Sequence, residues 1–527
     1  MKLSFKKISV FLAFAYLVLG IYLSLNTGIS HDEFHEQQNW TYNVQAVKDF
    51  LGTGEYASFL SFKDRYHGIG FHYISQPVQF LFSDLVRKTF QLSEYGGLLI
   101  SKHIAVFLIF FTSGIFLFKI FKIVNDDDDN FAIISTGIYF LFPYLFGHSL
   151  FNPKDIPFLS VWVICTYYII ILIQIFKTNN YISLKLLIIL SSLTAFLISI
   201  RTLGLLIFLQ YLIFLIVFSE TYKQDLLILI KKQRKNLLIF TSSTLFLIYI
   251  MNPIFWHNPL EIINSIAWMG KYQQDVCTTT LGKCMKALDL PASYYFIWLF
   301  FKLPIIVLFG LALYPFCESK LSKNKFANFI IISLLITLIA ILAIFIIFKV
   351  AIYDELRHVM FLIPLIFIIS LSCIYLYNKK MFLIFGIITS IFFVAENVSI
   401  NPYQYTWMNS FAKFYNINKN FEVDYWGISN RSLSNQIIKD YKTKEFKKSN
   451  CIYGGQYSDV FLQNYDFKCF KSYSELDSAK DRPYYVIKNV RNIKRSNPKD
   501  CQLVKNETFK YLFDVRPISA GSLWYCN

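Results

Sequence analysis

ISVFLAFAYLVLGIYLSLNTGISHDEFHE, residues 8–36, decides how this chain is read. Residues 8–25 are almost unbroken hydrocarbon, close to the length of about 20 residues that a membrane-spanning helix needs. Lys2, Lys6 and Lys7 precede it, as they would in a signal peptide. The run is long, however, and no small-residue cleavage site follows it cleanly. A retained first helix starting inside is therefore expected, with His31, Asp32, Glu33, His35 and Glu36 emerging together on the far side.

The same hydrocarbon pattern recurs along the chain. Of its 527 residues 55% are hydrophobic, 19% aromatic and 16% charged, more apolar surface than one soluble core can hide. Apolar runs at 8–25, 101–124, 131–150, 156–176, 183–200, 203–219, 236–251, 294–316, 326–348, 358–377 and 381–395 predict an all-α polytopic membrane protein of about eleven spans. The net charge of +17 sits largely in short loops, where it sets orientation; nucleic acid is not an expected partner. Only Arg201-Thr202 interrupts 183–219, and two helices are expected there. With two, Lys119, Lys122, Lys177, Lys185, the basic runs at 231–235 and 320–325, Lys379 and Lys380 all share the N-terminal side.

This topology puts 26–100, 151–155, the Arg201 turn, 252–293, 349–357 and everything from Glu396 outside. Residues 1–395 read as a transmembrane domain whose first outer loop, 26–100, carries interfacial helices. Residues 396–527 read as a small soluble extracytoplasmic domain, α/β or β-rich, with strand-like runs at 484–487 and 522–525. The acidic run 126–129 falls inside and is expected to be a solvated loop. Cys165, Cys317 and Cys373 belong to spans. Cys277, Cys284, Cys451, Cys469, Cys501 and Cys526 fall outside, an even number that fits disulfides in an oxidising compartment. Cys277 and Cys284 can close one loop; the other four allow three pairings. No zinc-type spacing appears, so a zinc site is the weaker alternative for these cysteines; a divalent metal is possible for the chain but not indicated.

Asp32 and Glu33 follow a helix end, where a nearby bilayer would raise a carboxylate pKa and suit Asp32 to act as a general base. Lys154 and Asp155 lie in a turn stiffened by Pro153 and Pro157, and could bind a phosphate and orient an acceptor. Arg201, flanked by apolar runs, needs a partner, and a lipid phosphate suits its planar fork. Arg357 and His358, in Tyr353-Asp354-Glu355-Leu356-Arg357-His358, are further donor-phosphate candidates. Arg65 and His67 of the first loop are, with Asp155, candidates for binding or orienting the acceptor. No phosphate-binding loop, nucleophile elbow or dinucleotide fingerprint is present, which argues against a nucleotide-driven pump.

His31-Asp32-Glu33, Phe151-Asn152-Pro153-Lys154-Asp155-Ile156-Pro157, Ile200-Arg201 and Tyr353-Asp354-Glu355-Leu356-Arg357-His358 together resemble glycosyltransferase family 39. This is the protein O-mannosyltransferase and aminoarabinose-transferase-like group of the GT-C membrane fold. The tail, with Asn401-Pro402-Tyr403-Gln404-Tyr405 and Asp424-Tyr425-Trp426-Gly427, looks like bacterial members. The resemblance implies a polyprenyl-phosphate sugar donor, attack with inversion and Asp32 as base, with Glu33 beside it orienting the acceptor or the base. Arg201, Lys154 and Arg357 would contact the donor phosphate. An Asp-x-Asp in the second outer loop is missing, so a metal-dependent variant is not implied; the acceptor is a glycan, lipid or protein. A bacterial inner membrane with a periplasmic active face is expected from the Lys, Asn and Ile bias. The competing classes are a transporter or flippase of lipid-linked sugars, and an envelope assembly protein.

Overall fold

The computed structural model describes every residue except 1–4, 180–181, 272–275, 444–450, 456, 480–481 and 490–496, so Lys2 lies outside the described residues. Each of the eleven apolar runs is helical, but not each is a simple span. Among the described residues, seven helices are long and apolar enough to cross a membrane, or nine if each of two bent pairs is one span. The bends fall at prolines. Asp129–Leu141 turns by 63° into Pro143–Ser149, and Ser293–Lys302 by 119° into Ile305–Ala312. Proline pre-sets the first turn of a new helix but cannot accept the geometry of an old one, so a hydrocarbon run continues where the helix does not. Leu184–Ile200 is short, and Leu226–Met251 carries four basic residues in its first half.

The break at Arg201 is real. Arg201 is extended, a 3-10 turn follows at Thr202–Leu206, and Ile207–Tyr222 resumes the α-helix. The segment between the first two apolar runs is also helical, with His31–Thr53, Ala57–Leu60 and His72–Phe90 leading into Glu94–Val124. Two glycines let this segment approach the break closely. A Cβ on Gly68 would lie 2.4 Å from the Ser199 carbonyl oxygen, and the Gly70 N–H donates to that same carbonyl at 2.7 Å.

β1 (Cys277–Thr280) and β2 (Lys283–Lys286) form a hairpin between helices. The tail builds a five-stranded mixed sheet from β3 (Cys451–Gly454), β4 (Cys469–Lys471), β5 (Tyr484–Asn489), β6 (Gln502–Phe509) and β7 (Ile518–Cys526), in the order β4-β3-β5-β7-β6. β4, β3 and β5 run parallel; β7 is antiparallel to both β5 and β6. The two strand-like runs of the sequence pair directly, Tyr485 opposite Tyr525 and Ile487 opposite Leu523. Disulfides join Cys277 to Cys284, Cys451 to Cys469 and Cys501 to Cys526, which selects one of the three open pairings; Cys165, Cys317 and Cys373 are free thiols.

Composition changes at Glu396, but packing does not. Ile452, Tyr485 and Leu523 of the sheet share a core with Ile29, Leu99 and Ile100 of the helical body. Tyr405, Trp407 and Trp426 belong to the largest core, with Trp162 and Trp298. The tail is thus fastened to the ends of the helices where Asp32, Lys154, Arg201 and Arg357 gather.

Candidate active site

His31–Thr53 begins with Ser30 as its cap, so the acidic cluster is the first turn of a helix rather than a loop. Helical geometry then sorts its members. Asp32, His35, Glu36 and Asn39, at spacings of three, four and seven, face one cavity of about 390 Å³. Glu33 faces the other way. One of its oxygens accepts from the Ser30 N–H at 2.7 Å, and the other meets His103 Nε2 at 2.8 Å in a fully buried contact.

The cavity also gathers Lys154, Arg201, Arg357, His358 and His67. Asn152 sets the turn that aims Lys154, its Oδ1 accepting from the N–H groups of Lys154 and Asp155 at 3.1 and 2.9 Å. Lys154 Nζ then reaches Glu36 at 2.5 Å. Arg201, released from helix by the break, pairs with Asp155 at 2.6 Å. Arg357 Nη1 donates to Asp32 at 3.0 Å, and its guanidinium lies 4.6 Å from the ring centres of both Tyr353 and Trp426. Lys154, Arg201 and Arg357 are thus each paired with a carboxylate, and Arg357 Nε lies a further 3.9 Å from Asp354. Leu203, Leu206, Phe345 and Val350 supply an apolar wall beside them.

The loop before Arg357 is held from behind. Asp354 and Glu355 both have positive φ, 56° and 66°, a conformation costly for residues with a Cβ. Asp354 N–H donates to Thr278 Oγ1 of the β1–β2 hairpin at 2.9 Å, and Glu355 pairs with Lys302 at 2.7 Å with both side chains fully buried. Burial pushes the Glu355 carboxyl up to about 8, against the pull of Lys302.

No protein-family profile, curated protein or solved structure matches this chain.

The site's chemistry is read from its own geometry. Burial alone would raise the Asp32 carboxyl, yet Arg357, Lys154 and Arg201 outweigh it and hold its pKa below the ordinary value. This corrects the expectation of a raised pKa: the cations next to Asp32, not the low-dielectric surroundings, dominate. Asp32 is accordingly ionised at neutral pH and able to accept a proton. His67 is neutral there, because burial and Lys154 both disfavour its cation.

Of the sequence candidates, Asp32, Lys154, Arg201, Arg357, His358 and His67 line the cavity. Asp155 stands behind it as the partner of Arg201. Glu33 does not line it, and neither does Arg65, whose guanidinium packs 4.7 Å from the Tyr66 ring beside a separate, smaller pocket. His35 and Glu36 of the opening cluster, Tyr353 of the 353–358 segment, Asn39 and Asp64 also line it without a role assigned from sequence; for His35, Glu36 and Asn39 the helical spacing from Asp32 is the available signal. Among the described residues no three His, Cys, Asp or Glu side chains converge as metal ligands. The acidic run 126–129 lies elsewhere, with Asp128 capping Asp129–Leu141 and Lys122 contacting Asp129 at 2.9 Å.

Proposed function

We propose that the chain is a membrane glycosyltransferase that moves a sugar from a polyprenyl-phosphate donor to an acceptor on the extracytoplasmic face, with inversion and Asp32 as general base. The observation that carries this reading is the single cavity in which an ionised Asp32 adjoins three cations and an apolar wall. An anionic phosphate carrying a hydrocarbon chain matches that combination, the phosphate facing Lys154, Arg201 and Arg357 and the first isoprene units lying along the apolar wall.

In this reaction the acceptor hydroxyl gives its proton to Asp32 as its oxygen bonds to the sugar's anomeric carbon. The bond from that carbon to the phosphate oxygen breaks, and polyprenyl phosphate leaves with the electron pair. The leaving phosphate gains one negative charge, which the three cations stabilise where it develops. Donor binding also prepares the base. When the phosphate takes over Arg357, Asp32 loses the guanidinium now pairing it at 3.0 Å, so its basicity rises only with donor in place.

Mass spectrometry of envelope glycans and lipid-linked sugars tests the reading. A strain lacking the protein is expected to lose one glycan and accumulate one polyprenyl-phosphate sugar, a phenotype reversed by the wild-type gene but not by Asp32→Asn. Full reversal by Asp32→Asn would remove the base from the scheme. Purified protein that moved labelled polyprenyl-phosphate sugar across vesicles without forming product would replace the transferase with a transporter.

A further inference from the structure

The cavity around Asp32 adjoins the start of Asp155–Asn179 and the end of Leu184–Ile200. The opposite ends of these two helices line another cavity, of about 100 Å³, together with Ile207–Tyr222 and Leu226–Met251; Phe176, Leu187, Phe218, Leu229 and Phe240 form much of its wall. That wall is hydrocarbon. The two carboxamides at its edge are turned on each other, Asn236 Nδ2 donating to Gln233 Oε1 at 2.7 Å. Such a space accepts a flexible apolar chain and offers a sugar or nucleotide little beyond those two mutually bonded carboxamides to repay desolvation.

Its rim has a different character. Gln233 faces the cavity, so at about 100° per residue Lys232 and Arg234 flank it on either side of Leu226–Met251, while Lys231 and Lys235 fall on the far face. All four basic side chains are exposed, as are Lys177 and Lys185 at the same end of the bundle. Two acids are near in sequence, Glu220 and Asp225, and Asp225 is occupied in capping the helix through the Ile228 N–H at 3.0 Å. A hydrocarbon slot bordered by long, exposed cations that can bend toward it matches a lipid with a negative headgroup.

We propose that this cavity binds an anionic phospholipid, with one acyl chain between the four helices and the phosphate at its rim, within reach of Lys232 on one side of the helix and Arg234 on the other. The site is separate from the Asp32 cavity and does not depend on what is transferred there.

Native mass spectrometry of the full chain, released from nanodiscs containing equal amounts of phosphatidylglycerol and phosphatidylcholine, tests this. The wild type is expected to retain one phosphatidylglycerol, with a preference of about tenfold or more over phosphatidylcholine. Lys232→Gln/Arg234→Gln alters only exposed side chains and leaves Lys231 and Lys235 to maintain orientation; it is expected to keep one lipid but lose the preference. Leu190→Trp fills the cavity and is expected to abolish retention of either lipid. Equal retention of both lipids by the wild type overturns the proposal, as does an undiminished preference in the double variant. So does displacement of the lipid by inorganic phosphate alone, which would make the site one for free phosphate. Should Leu190→Trp fail to fold, the lipid preference of the double variant still decides.

Discussion

Asp32 and Glu33 are neighbours in sequence, and both are acids paired with a cationic or ionisable ring or fork, yet they occupy opposite environments. The Asp32 side chain is 29% exposed and opens on the cavity, while Glu33 and His103 are both at 0%. A single residue step along the helix makes the difference, since adjacent residues point about 100° apart. The same contrast separates Glu36–Lys154 from Glu355–Lys302: the first pair lines the cavity, and the second is sealed behind it. A charge pair that a ligand can reach can exchange partners. A sealed one holds the chain in place, here the loop of positive φ that presents Arg357.

Substitutions on the two sides of this divide should separate activity from stability. Asp32→Asn is expected to cost about 10²- to 10⁴-fold in transfer rate, the usual worth of a positioned base, while thermal unfolding in detergent stays near wild type. A rate within a few fold of wild type would move the base elsewhere. Lys302→Met leaves the buried Glu355 carboxyl, already pushed up to about 8, protonated and without its partner, and is expected to lower unfolding stability by about 1–3 kcal/mol, with much of the loss recovered in Lys302→Met/Glu355→Met. If the double variant were no better than the single, the pair would not be what anchors this loop. Glu33→Gln keeps the shape of the side chain but weakens two buried contacts. It should cost about 1–3 kcal/mol in stability and leave the transfer rate per folded molecule nearly unchanged. A selective loss of rate in folded Glu33→Gln would return Glu33 to the chemistry.

The sequence exposed what is conspicuous against hydrocarbon. Lys154, Arg201 and Arg357 stand out because cations bordering apolar runs need a reason, and they meet in one cavity. Glu36 and Asn39 are harder to see because the interfacial helices expected in 26–100 carry no boundaries in the sequence reading, whereas Ser30 caps a helix that starts at His31 and sets their face. Lys302 was hidden inside an apolar run whose continuity also masked the bend at Pro304. The β5 and β7 strands were legible from their aromatic and branched residues. Mixed-polarity β6 was not, because its partner β7 rather than its own pattern fixes it. No local signal could have brought Trp426 onto Arg357; that contact depends on the tail sharing the helical core.

The subtlest test concerns the Asp32–Arg357 pair, which lies wholly on the cavity side. Asp32 is held below the ordinary carboxylate range by Arg357, Lys154 and Arg201, against burial that would raise it. A group with a depressed folded pKa contributes stability above its unfolded pKa and loses it as pH falls through the folded value. The same ionisation governs its use as a base, so transfer should decline only on the acid side of the ordinary carboxylate range. Arg357→Gln removes the nearest cation, leaving burial less opposed. The acid limb of kcat/KM is therefore expected to move toward neutral pH, together with weaker donor binding. Arg357→Lys keeps the charge but loses the planar fork between Tyr353 and Trp426, so it should restore the limb more than it restores donor KM. An acid limb that stays fixed in Arg357→Gln would mean that the titrating base is not the carboxylate this guanidinium holds.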